Sequence, residues 1–205
     1  MACAEVQTMK MKLSYWLLLA AFAAGVECSP MKAAEPADQP TAFKLIKEGN
    51  RFIGEQSKDK VVQVRAEKSI GSTIPNIWYV VYYDPTAALK AVEVKFAAGK
   101  MVSVERPLRL LESAFGKSEP MDRARLKIDS DEAIKIALKE PLLVNVKVVA
   151  TAPMLDNGDM GPVWRIRLWA LKQYDTQAEA NIGEVTLSPE TGLVLKADLH
   201  LERLN

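Results

Sequence analysis

The chain has 205 residues and carries 27 Lys plus Arg against 26 Asp plus Glu, a formal net charge of +1. A charge balance this even, with no long basic run, argues against a nucleic-acid partner, because neutralising a phosphate backbone takes a concentrated positive surface. Hydrophobic residues make up 49% of the chain, which is enough for a packed core and excludes a chain disordered throughout.

At the N-terminus, Lys10 and Lys12 precede an apolar stretch over residues 13–26. That stretch is shorter than the roughly 20 residues a spanning helix needs. Small residues at Ala21 and Ala23, or the run Val26-Glu27-Cys28, then offer cleavage positions. Residues 1–28 are therefore read as a signal peptide, with a buried helix or a membrane anchor as the alternative. The expectation is an exported protein, periplasmic or extracellular, with no stable membrane span in the mature chain. Met9 or Met11 is a candidate start. Glu27 stands where a lipobox wants a small residue, which argues against lipidation at Cys28. Cys3 and Cys28 are the two cysteines, so cleavage after Cys28 leaves neither a disulfide nor a thiol nucleophile. Residues 29–40, rich in Pro, Ala and charge, read as a flexible leader.

From residue 41 the same order of signals runs twice. Thr41 is a candidate cap for a helix carrying Phe43, Ile46, Phe52 and Ile53, with Gly49 as its weak point. Strands are predicted at residues 61–65 and at 77–83, the latter aromatic and β-branched. A hairpin follows, 91–96 and 100–105, turning at Ala97-Ala98-Gly99. In the second half, Asp129 and Glu132 have capping-box spacing ahead of a helix with Ala133, Ile134, Ala137 and Leu138 on one stripe, ended by Pro141. Strands are predicted at 144–149, 163–171, 183–187 and 193–201, with turns at 156–159 and 188–192. Residues 107–127, with Leu108, Leu110, Leu111 and Phe115, read as a linker containing a short helix.

The second half resembles a PepSY domain. The resemblance rests on Ser130-Asp131-Glu132-Ala133-Ile134-Lys135-Ile136-Ala137-Leu138, on Val163-Trp164-Arg165-Ile166-Arg167-Leu168, and on the run Gly183 to Leu195 with its Ser188-Pro189-Glu190-Thr191-Gly192 turn. It covers roughly residues 128–200, and the first half looks like a divergent copy. The resemblance implies an extracytoplasmic module with one helix against an antiparallel sheet, of a kind thought to bind or restrain peptidases, and it brings no catalytic residues. The expected fold is α+β: two tandem units, 41–106 and 128–205, each one helix packed on an antiparallel sheet of about four strands, in a cystatin-like layout.

Strand alternation assigns the faces. Trp78, Val80 and Tyr82 are expected inside, as are Trp164, Ile166 and Leu168, the alternate residues Val144, Val146 and Val148, and the set Leu193, Leu195, Ala197, Leu199 and Leu201. Ile77, Tyr79, Val81 and Tyr83 then share an apolar outward face, covered either by the rest of the chain or by a partner. Arg165, Arg167 and Trp169 face outward on their strand, either as a recognition patch or as a solvated face paired with Asp198, Glu184 or Glu202. Candidate binding residues are therefore Tyr79, Tyr83, Arg165, Arg167 and Trp169.

His200 is the one histidine, and it lies among charges. No Gly-rich phosphate loop, Gly-x-Ser-x-Gly or His-Glu-x-x-His motif is present, so no catalytic or metal residue is assigned and no cofactor is expected. Asp156 and Asp159 have turn chemistry rather than the spacing of a calcium loop. The expectation is a non-enzymatic binding module of the cell envelope, with an unidentified envelope or secreted protein or peptide as partner. A carrier of a small apolar ligand and a structural envelope component are the rival readings.

Overall fold

The structure, a computed structural model, describes residues 39–106, 119–175 and 177–205. The signal-peptide reading, the leader up to residue 38 and the apolar positions of the linker over 107–118 lie outside the described residues. The described elements run α1 (Ala42–Gly49), β1 (Val61–Ala66), β2 (Ile77–Tyr83), β3 (Ala91–Ala97), β4 (Lys100–Glu105), α2 (Ser130–Leu138), β5 (Val148–Gly158), β6 (Gly161–Leu171), β7 (Glu179–Leu187) and β8 (Val194–Leu199). All eight strands belong to one antiparallel sheet in the order β4-β3-β2-β1-β5-β6-β7-β8.

This overturns the expected pair of tandem helix-plus-sheet units. The described residues form mostly one eight-stranded sheet with two short helices, and the halves of the chain share it. The seam is β1 against β5, with Val64 opposite Leu155 and Arg65 opposite Met154. Beyond that short ladder, Ser69 donates its N–H to the Thr151 carbonyl and accepts at its Oγ from the Thr151 N–H, both at 2.9 Å. The Thr151 hydroxyl in turn donates to the Thr73 carbonyl at 2.8 Å. A buried seam needs its polar groups paired, and here a loop supplies the pairing after the strand ends.

Both helices lie on the same face of the sheet and close one continuous core. Leu45, Ile46, Ala133, Ile134 and Ala137 pack with Trp78, Val80, Tyr82, Trp164, Ile166 and Leu168. The alternation read from β2 and β6 places these strand residues correctly, and Trp164, Ile166 and Leu168 are fully buried. Both core indoles keep a partner: Trp78 Nε1 donates to the Pro75 carbonyl and Trp164 Nε1 to the Ile128 carbonyl. Gly49 is less a weakness of α1 than a requirement. Tyr82 Oη donates to the Ile46 carbonyl at 2.8 Å, and a Cβ at Gly49 would collide with that hydroxyl. Burial pushes the Tyr82 hydroxyl far above its ordinary pKa.

The two helices meet at their N-termini, which alters the capping expectation. Thr41 holds the N-cap position of α1 but makes no side-chain cap bond. Asp129 does that work from the other half of the chain. Its Oδ1 accepts from the Phe43 N–H at 3.1 Å and from the Ser130 N–H at 2.7 Å, while Ser130 Oγ accepts from the Ala42 N–H at 2.9 Å. One carboxylate thus answers the free donors and the positive ends of two helix dipoles. The capping box with Glu132 is not formed; Glu132 is exposed.

Three strand boundaries also differ from expectation. Residues 141–143 form a 3-10 turn behind Pro141, so the strand begins at Val148 instead of Val144, which is exposed. β5 continues through Asp156 and Asn157, and the reversal falls at Asp159 and Met160. At the C-terminal edge, Thr186 faces Lys196 whereas Leu187 faces Val194, so Leu195 is an extra, bulged residue. The bulge breaks the alternation: Ala197, Leu199 and Leu201 reach the core, but Leu193 and Leu195 stay exposed. The β3–β4 hairpin turns at Ala98 and Gly99, both at positive φ (47° and 77°), as a two-residue turn requires.

Candidate docking face

The face of the sheet opposite the helices carries every candidate residue named from the sequence. The strand register lines up one row across all eight strands: Ser103, Lys95, Tyr79, Arg65, Met154, Arg165, Thr186 and Lys196. Four of these eight are cations. Carboxylates stand in the rows on either side, so each cation reaches an acid in a neighbouring row rather than directly across. Arg65 meets Glu93 at 2.8 Å, Lys95 meets Glu67 at 3.7 Å, and Lys196 meets Asp198 at 2.8 Å. Arg165 Nη1 donates to both oxygens of Asp156, at 2.6 and 2.5 Å, and its Nε lies 3.9 Å from Glu184.

Aromatic rings are interleaved with these charges. The Arg65 guanidinium stacks on Tyr79 at 3.9 Å from the ring centre, and Lys95 approaches the same ring at 5.0 Å. The Tyr79 hydroxyl donates to Glu67. Trp169, one end of this surface, lies under Lys68 at 5.4 Å, and Lys68 is ion-paired to Glu179. Tyr83 stands apart from the row, half-buried, with Lys60 at 5.9 Å from its ring. Arg167 is exposed and meets Glu184 only at 3.6 Å. The structure therefore brings Tyr79 and Arg165 into one row with Arg167 and Trp169 beside it, and leaves Tyr83 at the margin.

The outward residues of β2 are not one bare apolar strip. Val81 is buried, whereas Ile77, Tyr79 and Tyr83 are half-buried. Sequence reasoning missed Arg65, Glu93, Gln63 and Met154, and read Asp156, which lies in β5, as a turn residue. Arg65 was visible as the last outward residue of a short apolar strand, but its partners come from β3 and β5, and only the β1–β5 seam sets it beside Met154. Gln63 is 3% exposed, with its Nε2 donating to Met154 Sδ at 3.7 Å. Among the described residues, Gln63 Oε1 and Arg65 Nε are buried and have no hydrogen-bond partner.

The acids of the molecule respond in opposite directions. Burial pushes the Asp156 carboxyl above its ordinary range, opposed by the Arg165 guanidinium. The Asp84 carboxyl is held low, first by the Thr86 hydroxyl and then by the Thr86 N–H and Arg106, against the cost of burial. Lys196 likewise holds Asp198 low. A depressed carboxyl stabilises the fold above its unfolded pKa, and that contribution disappears as pH falls through the folded value; a raised one has the reverse sign. Asp84→Asn should therefore lower the melting temperature at pH 7, and the gap to the unaltered protein should close as the pH is taken below the usual carboxylate range. Thermal melts of both proteins across that range measure it; a constant gap would refute the assignment.

Among the described residues, no helix is long and apolar enough to cross a membrane, and no three His, Cys, Asp or Glu side chains come together as a metal site. Compared with protein-family models, with curated proteins and with solved structures, the chain matches none of them.

Proposed function

We propose that the chain is a non-catalytic binding module that docks a protein on the face of the sheet opposite the helices. The observation that carries this reading is the row of Lys95, Tyr79, Arg65, Met154, Arg165 and Lys196 across neighbouring strands. Arg, aromatic and Met side chains are the residue types enriched where proteins meet, because they offer large contact area together with directional bonds. An exported, envelope-located partner belongs to the same proposal, supported by the Lys10/Lys12 flank and the apolar stretch behind it. The likeness of residues 128–200 to a PepSY domain is proposed on its motifs alone.

A photo-reactive residue placed at Ser103 or Thr186, on the open face, should yield discrete covalent adducts in the native host. The same residue at Lys135, exposed on α2, should not. Adducts from Lys135 alone, or none from the open face, would end the proposal.

A further inference from the structure

We propose that the free edge of β8 pairs antiparallel with the same edge of a second copy of this chain, about a two-fold axis at Ala197. This contact uses the rim of the sheet and stands independently of the open-face reading. β8 is the last strand of the sheet, so among the described residues one side of its backbone has no strand beside it. The residues that point each way follow from two observations. The His200 N–H donates to the Ile182 carbonyl at 2.7 Å, and a Cβ at Gly183 would strike the Asp198 carbonyl oxygen. The even-numbered residues 196, 198 and 200 therefore turn their backbone groups toward β7. In an antiparallel ladder the alternate residues, Ala197 and Leu199, then turn theirs outward.

A two-fold pairing must set residues of the same orientation opposite each other. Centred on Ala197, it puts Ala197 against Ala197 of the second copy, exchanging two N–H to carbonyl bonds. Lys196 then faces Asp198 of the second copy, and Asp198 faces its Lys196. Moving the axis by one residue either way would set Lys196 against Lys196 or Asp198 against Asp198, and like charges directly opposite are destabilising. The charge pattern thus selects one register of the three. The apolar fringe fits the same register. Leu193 and Leu195 are 66% and 58% exposed, and Leu195 is the extra residue of the bulge. Pairing about Ala197 brings Leu195 against Leu199 of the second copy and removes this fringe from water. A bulge and charges usually guard an edge against pairing; here the charges are self-complementary.

Sedimentation velocity of the full chain over a range of concentrations tests this. The unaltered chain should show a reversible dimer. Ala197→Pro should be monomeric with an unchanged circular dichroism spectrum, because the Ala197 N–H makes no bond to β7 and proline is tolerated at such an edge position. Lys196→Asp alone, or Asp198→Lys alone, should weaken the dimer about tenfold, and the two together should restore it. The intramolecular Lys196–Asp198 pair is exposed, so its loss leaves the fold intact. A chain that stays monomeric at every concentration would overturn the proposal. So would a dimer of equal affinity in all the charge variants.

Discussion

Trp164→Ala is expected to destabilise the protein by about 3–5 kcal/mol, the range found when a large aromatic is truncated in a closed core. Among the described residues Trp164 is the largest fully buried side chain, and its ring lies in the core that both helices close. Its Nε1–H also holds the Ile128 carbonyl, which sits immediately ahead of the shared helix cap. Alanine would leave a cavity between α2 and β6 and strand that carbonyl at the same time. Urea denaturation followed by far-ultraviolet circular dichroism measures the loss. Trp164→Phe should recover most of the packing and show the smaller cost of one missing hydrogen bond, about 1 kcal/mol. If the alanine variant loses less than 1 kcal/mol, the core around α2 is not packed as described.

The second large effect is expected at Arg165. Replacing it with Met keeps the length of the side chain and removes the cation, leaving Asp156, 5% exposed, without its two-point partner. Breaking one side of a buried pair costs more than removing both, because the remaining charge keeps its desolvation penalty. Arg165 is itself about a third exposed, so solvent screens part of the pair. The loss should be about 2–3 kcal/mol at neutral pH. It should shrink as the solution is acidified, since burial already favours the neutral Asp156 carboxyl. The double variant Arg165→Met, Asp156→Leu should be more stable than Arg165→Met alone. Denaturation of the two single variants and the double variant, at pH 7 and at pH 5, gives the coupling and its sign. A double variant less stable than both singles would refute the description of the pair.

Local order was legible in the sequence wherever a side-chain period was enough. The inward sets of β2 and β6 follow from alternation, and the β3–β4 turn from its glycine. What pairs with what was not legible. The seam between β1 and β5 is made by backbone groups, which every residue carries, so Val64 and Leu155 bear no mark of being neighbours. For that reason one sheet looked like two. The candidate site shows the same division. Tyr79, Arg165, Arg167 and Trp169 could be named as outward residues from their own strands. The joining of Tyr79 and Arg65 to Met154 and Arg165 in one row depends on register across the seam. The bulge at Leu195 is another case: the alternation of β8 runs unbroken in the sequence, and the extra residue shows only against Thr186 and Leu187.

The placement of Asp129 has a consequence for how the molecule comes apart. A single carboxylate bonds the first turns of α1 and α2, 86 residues apart in the chain at their nearest bond. Loosening either helix releases the anchor of the other, and opening the seam beneath exposes raw strand on both sides. Heat should therefore find no half-melted species to populate, and the first and second halves of the sequence should lose their order in a single calorimetric step.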